Sequence, residues 1–132
     1  MHRGRPGNPS PSARELDIMS VLWDRGSGTV VEVRNELIER EEFEPAHTTV
    51  LAQLRSLRAK RWVRVLHEDR AHRFVPVMSR DDACSAALRR VVILYFGSRE
   101  ALLNYLVRDR GTFPAVLKRV RRVLDERIRT SR

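Results

Sequence analysis

Cysteine is almost missing from the chain: Cys84 stands alone among 132 residues. One thiol excludes an intramolecular disulfide and any multi-thiolate metal site within one chain. On the Ala-rich side of its helix Cys84 reads as a small core residue rather than a redox sensor. Glycine and proline are scarce, six of each, and aromatics make up only 6%; with abundant Leu, Val and Arg, this points to a mainly helical chain. No apolar run approaches the ~20 residues that span a bilayer. The opening Met-His-Arg-Gly-Arg-Pro has no apolar segment behind it to make a secretory signal, so the expected location is cytoplasmic, with no membrane partner. Phosphate-binding glycine loops, dinucleotide fingerprints and Ser/His/Asp arrangements are absent as well. An enzyme reading therefore has no residues to rest on, and no cofactor is expected.

What is present is charge, unevenly placed. The formal net charge is +9 and the isoelectric point is near 11.2, which points to a polyanionic partner, nucleic acid or an acidic membrane surface. Residues 15–44 hold nine acidic and three basic side chains, residues 45–73 seven basic and two acidic, and residues 78–132 thirteen basic and six acidic. Such a chain can turn one basic face to DNA and an acidic one away. At 42% hydrophobic it can build a core, and its length suits one domain or a small domain with a short oligomerisation segment.

The stretch 45–61 organises the rest. On a helix, Ala46, Val50, Leu54 and Leu57 form one apolar stripe. At about 100° per residue, Thr48, Ala52, Arg55 and Ala59 fall opposite, flanked by Thr49 and Ser56. No acidic residue occurs in the stretch. Small residues permit close approach to a major groove, hydroxyls reach phosphates or bases, and Arg grips guanine bidentately. A solvated basic helix would look the same in isolation, and its neighbours decide between the two.

Residues 1–12 are Pro/Gly/Ser-rich and read as a disordered basic arm; Arg3 and Arg5 could track a phosphate backbone or enter a minor groove, but an idle tail is the favoured reading. Ser12 and Glu15 are spaced as a capping box for a first helix reaching about Asp24, with Leu16, Ile18, Met19, Val21, Leu22 and Trp23 apolar. Gly26 and Gly28 break the chain. Thr29 and Glu32 make a second capping box, opening a helix with Val30, Val33, Leu37 and Ile38 on one side. Pro45 is expected at the start of the third helix. Three short helices, the third carrying the groove face, are a helix-turn-helix arrangement. Residues 62–66 and 73–77 are β-branched and aromatic runs around a polar turn, 67–72, and predict a hairpin. A hairpin after a recognition helix is a wing. The expected base-reading set is Thr48, Thr49, Ala52, Arg55 and Ser56, with Arg58, Lys60, Arg70 and Arg73 on phosphates. His67 and His72 bracket Glu68 and Asp69, a pattern that reads as a solvated turn; metal ligation would need a convergent loop and a preorganised shell.

Beyond the wing, Ser79 and Asp82 are spaced to cap a helix to about Phe96, with Ala83, Ala87, Val91 and Leu94 as a stripe widened by Leu88, Val92 and Tyr95. Gly97 stops it and Ser98 caps the next, 99–108, with Leu102, Leu103, Leu106 and Val107. Pro114 opens a last helix in which Val116, Val120, Leu124 and Ile128 recur at steps of four. Helices this short and apolar cannot bury themselves in so small a unit, and pairing with a second copy is the simplest solution. Leu88, Val91, Leu94, Tyr95, Leu102, Leu106, Val116, Val120 and Leu124 are the expected homodimer contacts. Lys118, Arg119, Arg121 and Arg122 allow an anionic-membrane role for the last helix, but packing explains its stripe more simply. The expected organisation is an arm (1–12), a winged-helix DNA-binding domain (13–78) and a helical dimerisation domain (79–132).

Several segments carry a resemblance in register over roughly residues 13–110. They are Glu15-Leu-Asp-Ile-Met-Ser-Val-Leu-Trp23, Gly28-Thr-Val-Val-Glu-Val33, Thr48-Thr-Val-Leu51 with Leu54 and Leu57, Asp69-Arg-Ala71, and Val75-Pro-Val-Met-Ser79. Together they resemble the penicillinase-repressor family of winged-helix regulators, the BlaI/MecI type. The resemblance implies a dimeric repressor that binds palindromic double-stranded operators of resistance or stress genes, dimerises through its C-terminal region, and is inactivated there by a sensor-linked protease at an Asn followed by an aromatic residue. Asn104 and Tyr105 fall at the matching place. The family usually has arginine where Ser56 stands, and glycine where Arg61 and Asp69 stand. Copper-responsive repressors similar to this family bind metal through cysteine pairs near the C-terminus, which this chain lacks. The other reading left open is a winged-helix protein-interaction module with non-specific nucleic-acid contact.

Overall fold

The computed structural model describes residues 8–40, 44–68, 71–109, 111 and 113–131. The chain divides into two compact units, residues 1–86 and 87–132. The first contains α1 (Ala13–Arg25), α2 (Val30–Arg40), α3 (His47–Ala59), β1 (Val63–Glu68) and β2 (Ala71–Pro76), and takes in the start of α4 (Arg80–Val91).

Local chemistry starts the first two helices where the sequence predicts. The Ser12 hydroxyl accepts the Glu15 N–H at 3.2 Å, and the Glu15 carboxylate accepts the Ser12 N–H at 2.8 Å. Thr29 and Glu32 exchange the same pair of bonds at 3.2 and 3.0 Å, so both N-termini satisfy two orphan donors reciprocally. Ile18, Met19, Leu22, Val33, Leu37, Val50, Leu54 and Leu57 then bury their stripes against one another, closed from the hairpin side by Val63 and Phe74. Each such burial is worth about 1.5–3 kcal/mol. Gly28 adds what the sequence did not suggest: its N–H and C=O bond to Phe74 at 3.0 and 2.8 Å, so the α1–α2 connection pairs with the hairpin as a one-residue strand. A Cβ there would sit 3.0 Å from the Val33 side chain, so a larger residue would have to push Val33 aside.

Cys84, expected as a small core residue, is exposed on α4, and three further expectations are corrected. Pro45 is not the first helical residue: Ala46 is the N-cap in extended conformation, and the helix begins at His47. Ala46 therefore lies outside the buried stripe and is exposed, whereas Pro45 is buried. The strands are also longer than predicted, since β1 and β2 pair from Val63↔Pro76 to Glu68↔Ala71. His67 and His72 thus sit in the ladder rather than in a polar loop, because an exposed strand end accepts polar side chains as readily as a turn does. The third correction lies in the second unit. The helix expected to run unbroken to Phe96 leaves α geometry at Val92 and finishes as a π-helical turn, Val92–Phe96. Gly97, left-handed at φ 78°, donates its N–H to the Val92 carbonyl at 2.7 Å, an i→i+5 bond that holds the wider turn.

In the second unit α5 (Arg99–Arg108) is capped by the Ser98 hydroxyl, and α6 (Pro114–Thr130) carries Pro at its first turn. No described residue from 87 to 132 is buried. No helix among the described residues is long and apolar enough to cross a membrane.

Candidate nucleic-acid interface

The third helix turns its stripe inward and its acid-free face outward. Val50, Leu54 and Leu57 are fully buried; Thr48, Thr49, Ala52, Arg55, Arg58 and Ala59 are exposed, and Ser56 is half-buried. Both ends are fixed. At the start, Arg34 on α2 donates to the Pro45 carbonyl at 2.7 Å and pairs with Glu44 at 3.0 Å. At the end the chain makes a Schellman closure: the Arg61 N–H reaches the Arg58 carbonyl at 3.0 Å, and the Trp62 N–H reaches Leu57 at 2.9 Å. That closure needs a left-handed residue. Arg61 supplies it at φ 66°, among described residues the only non-glycine in this region. The resembled family usually carries glycine there, and a side chain in left-handed geometry costs about 1–2 kcal/mol.

Two expected phosphate contacts have partners within the fold. Lys60 Nζ lies 2.5 Å from Glu15 Oε1 and 3.3 Å from the Ser10 carbonyl, tying the end of α3 to the start of α1. Burial works to raise the Glu15 pKa, but hydrogen bonds from Lys60, Ser56 and the Ser12 backbone outweigh it and hold the carboxyl down at about 2. Arg73 Nη1 donates to Glu32 Oε1 at 2.9 Å and to the Ser27 hydroxyl at 3.2 Å, which helps lower the Glu32 pKa after the larger effect of the Thr29 backbone bond. These cations brace the domain; periodicity could not reveal it, because their partners are 45 and 41 residues away. Arg70 lies outside the described residues.

Sequence reasoning also missed Gln53. With Thr48, Thr49, Ala52, Ser56 and Lys60, and with Ser12 and Glu15 at the start of α1, it lines a shallow hollow beside the exposed face. Its position four residues after Thr49 and three before Ser56 was the available signal. Gln is a bidentate adenine reader. Among the described residues no group of three or more His, Cys, Asp or Glu converges as a metal site.

The other sequence candidates lie in or beside the second unit. Leu88, Leu94, Tyr95, Leu106, Val120 and Leu124 are exposed; Val91, Leu102 and Val116 are half-buried. Asn104 and Tyr105 are exposed on α5, and the Tyr105 ring rests 5.4 Å from that of Phe96.

Comparison with known proteins fits this geometry. Residues 11–126 match the family described as the penicillinase repressor. The transcriptional regulator BlaI of Mycobacterium tuberculosis is 34% identical over 100 residues, covering 74% of this chain and 71% of that protein. The solution structure of monomeric Bacillus licheniformis BlaI with the blaP half-operator is 26% identical, covering 62% of this chain and 93% of that one, with a TM-score of 0.48. A solved hsRosR complex covers 95% of this chain and 96% of its own at 16% identity and a TM-score of 0.56, a likeness of fold. From the family match over nearly its whole length, the chain belongs to the penicillinase-repressor family of winged-helix, DNA-binding transcriptional regulators.

Proposed function

We propose that the chain is a homodimeric repressor that reads a palindromic operator with α3, and that the genes it controls serve resistance or stress responses. The observation that carries the DNA reading is the outward face of α3, where Thr48, Thr49, Ala52 and Arg55 are exposed opposite a fully buried stripe. In this reading Arg55, Gln53 and the three hydroxyls meet base edges, and Arg58 and Arg70 meet phosphates; Lys60 and Arg73 hold the helix and wing in place. The half-operator complex described for the Bacillus relative supports the same mode of binding here. Arg55→Ala should cost ~1–3 kcal/mol on the specific site and relax preference at one base position. The check is a gel shift against DNA upstream of the chain's own gene; unchanged affinity and preference would put the reading face elsewhere.

The homodimer rests on the exposed apolar residues of 87–132, and two tethered DNA-binding domains gain avidity, often ~10²–10⁴-fold. Cleavage between Asn104 and Tyr105, within α5, would sever much of that surface and leave every α3 contact intact. Because the bond is helical, a protease must first unwind α5 locally, which the absence of buried residues there favours. A foreign protease site inserted at that bond tests relief by proteolysis: operator affinity should fall on complete cutting. Undiminished binding would assign relief to another signal.

A further inference from the structure

The wing carries a side-chain pair to which the proposed function assigns no role. His67 and His72 are directly opposite in the β1–β2 ladder. Directly opposed residues project from the same face, with Cβ atoms about 4.5–5.5 Å apart. Their rings lie 4.6 Å apart, edge to face, and both residues are exposed. The alternation that buries Val63 and Phe74 on this face brings His67 and His72 out as the next pair beyond the core. Among the described residues neither ring has a hydrogen-bond partner, and the contact between the two rings is the one side-chain interaction described for them.

We propose that His67 and His72 form a two-imidazole chelate for a divalent transition-metal ion, with water completing the coordination. Two nitrogens bound at ~2.0–2.1 Å to a tetrahedral zinc are about 3.3 Å apart. Exposed rings already this close reach that separation by small side-chain rotations, with no movement of the strands. The ligand set is all nitrogen, which selects zinc, nickel or copper over calcium or magnesium. Once bound, the ion clamps the two strands at the outer end of the wing and adds two positive charges there. If the wing lies beside DNA, as the proposed function has it, the added charge strengthens binding to any duplex and steepens its salt dependence.

The test uses the full-length chain and zinc chloride, since copper would also be drawn to His2 near the terminus. Imidazole nitrogen resonances are followed as zinc is added. The His67 and His72 signals should move together along one saturating curve while His47, on α3, stays in place. His67→Ala should weaken the His72 response roughly tenfold or more, because the second ligand no longer acts at high effective concentration. The pair Leu66→His and His67→Leu keeps all four histidines but moves one ring to the opposite face of the hairpin, and should lose zinc affinity to the same extent. Unmoved signals at millimolar zinc, or equal zinc affinity at His72 in either variant, would overturn the chelate. DNA binding is measured separately with and without zinc. An affinity unchanged by zinc, with the ring shifts intact, would leave the metal site standing and overturn only its effect on DNA.

Discussion

The two units of this chain are written in the same helical pattern and meet opposite fates. In the first, Val50, Leu54 and Leu57 are 0% exposed because α1, α2 and the hairpin close over them. In the second, Leu94, Leu106, Leu124 and Ile128 are 49–64% exposed. Periodicity tells which face of a helix is apolar; it does not tell what covers that face. The first unit completes a core and the second leaves its apolar faces open; in the proposed homodimer, folding belongs to the first unit and association to the second.

The contrast breaks most readily in the first unit. Leu54→Ala removes a fully buried side chain, and should lower stability by about 2–5 kcal/mol at every protein concentration in urea denaturation. Leu124→Ala, at a side chain 49% exposed in the single chain, should instead weaken assembly: the parent's transition midpoint should rise with protein concentration, and the variant should lose much of that dependence. If both variants behaved alike, the division between the units would fail.

A second contrast lies within the first unit, between apolar and ionic support. The Glu15 carboxyl, held at about 2 in the fold against an ordinary 4.5, contributes about 3 kcal/mol. Its folded pKa is depressed, so this contribution is fully present above pH ~4.5 and lost as pH falls toward 2. Glu15→Gln should be clearly destabilised at pH 7 and approach the parent protein near pH 2. A deficit independent of pH would assign the loss to packing rather than charge. Glu32 and Asp24, lowered by Thr29 with Arg73 and by Arg80 with Arg40 respectively, add to acid sensitivity in the same direction.

The smallest effect sharpens the account of α3. Arg61→Gly should stabilise the chain by about 0.5–1 kcal/mol, because glycine adopts φ 66° without a Cβ penalty. A destabilised Arg61→Gly would mean that the arginine side chain offsets its backbone strain.

Much of this was legible in the sequence where interactions are local. The boxes at Ser12–Glu15 and Thr29–Glu32 are three residues long and formed as written. The buried face of α3 followed from spacing alone, apart from Ala46. What escaped was set by distant partners. Gly28 looked like a helix breaker until its pairing with Phe74 was seen, and Lys60 and Arg73 looked like free cations until Glu15 and Glu32 were placed beside them. The strands extend into 67–72 although the polar composition there predicts a loop, because register depends on cross-strand pairing that composition does not encode. The family match then decided between the two functional readings, in favour of a DNA-binding regulator over an interaction module.

The central claim, that one unit folds and the other associates, is tested most directly by sedimentation of the full chain beside a fragment of residues 1–86, the first compact unit. The account predicts a dimeric full chain and a folded, monomeric fragment, each sedimenting as a single species. A monomeric full chain, or a fragment that is itself a stable dimer, would contradict it.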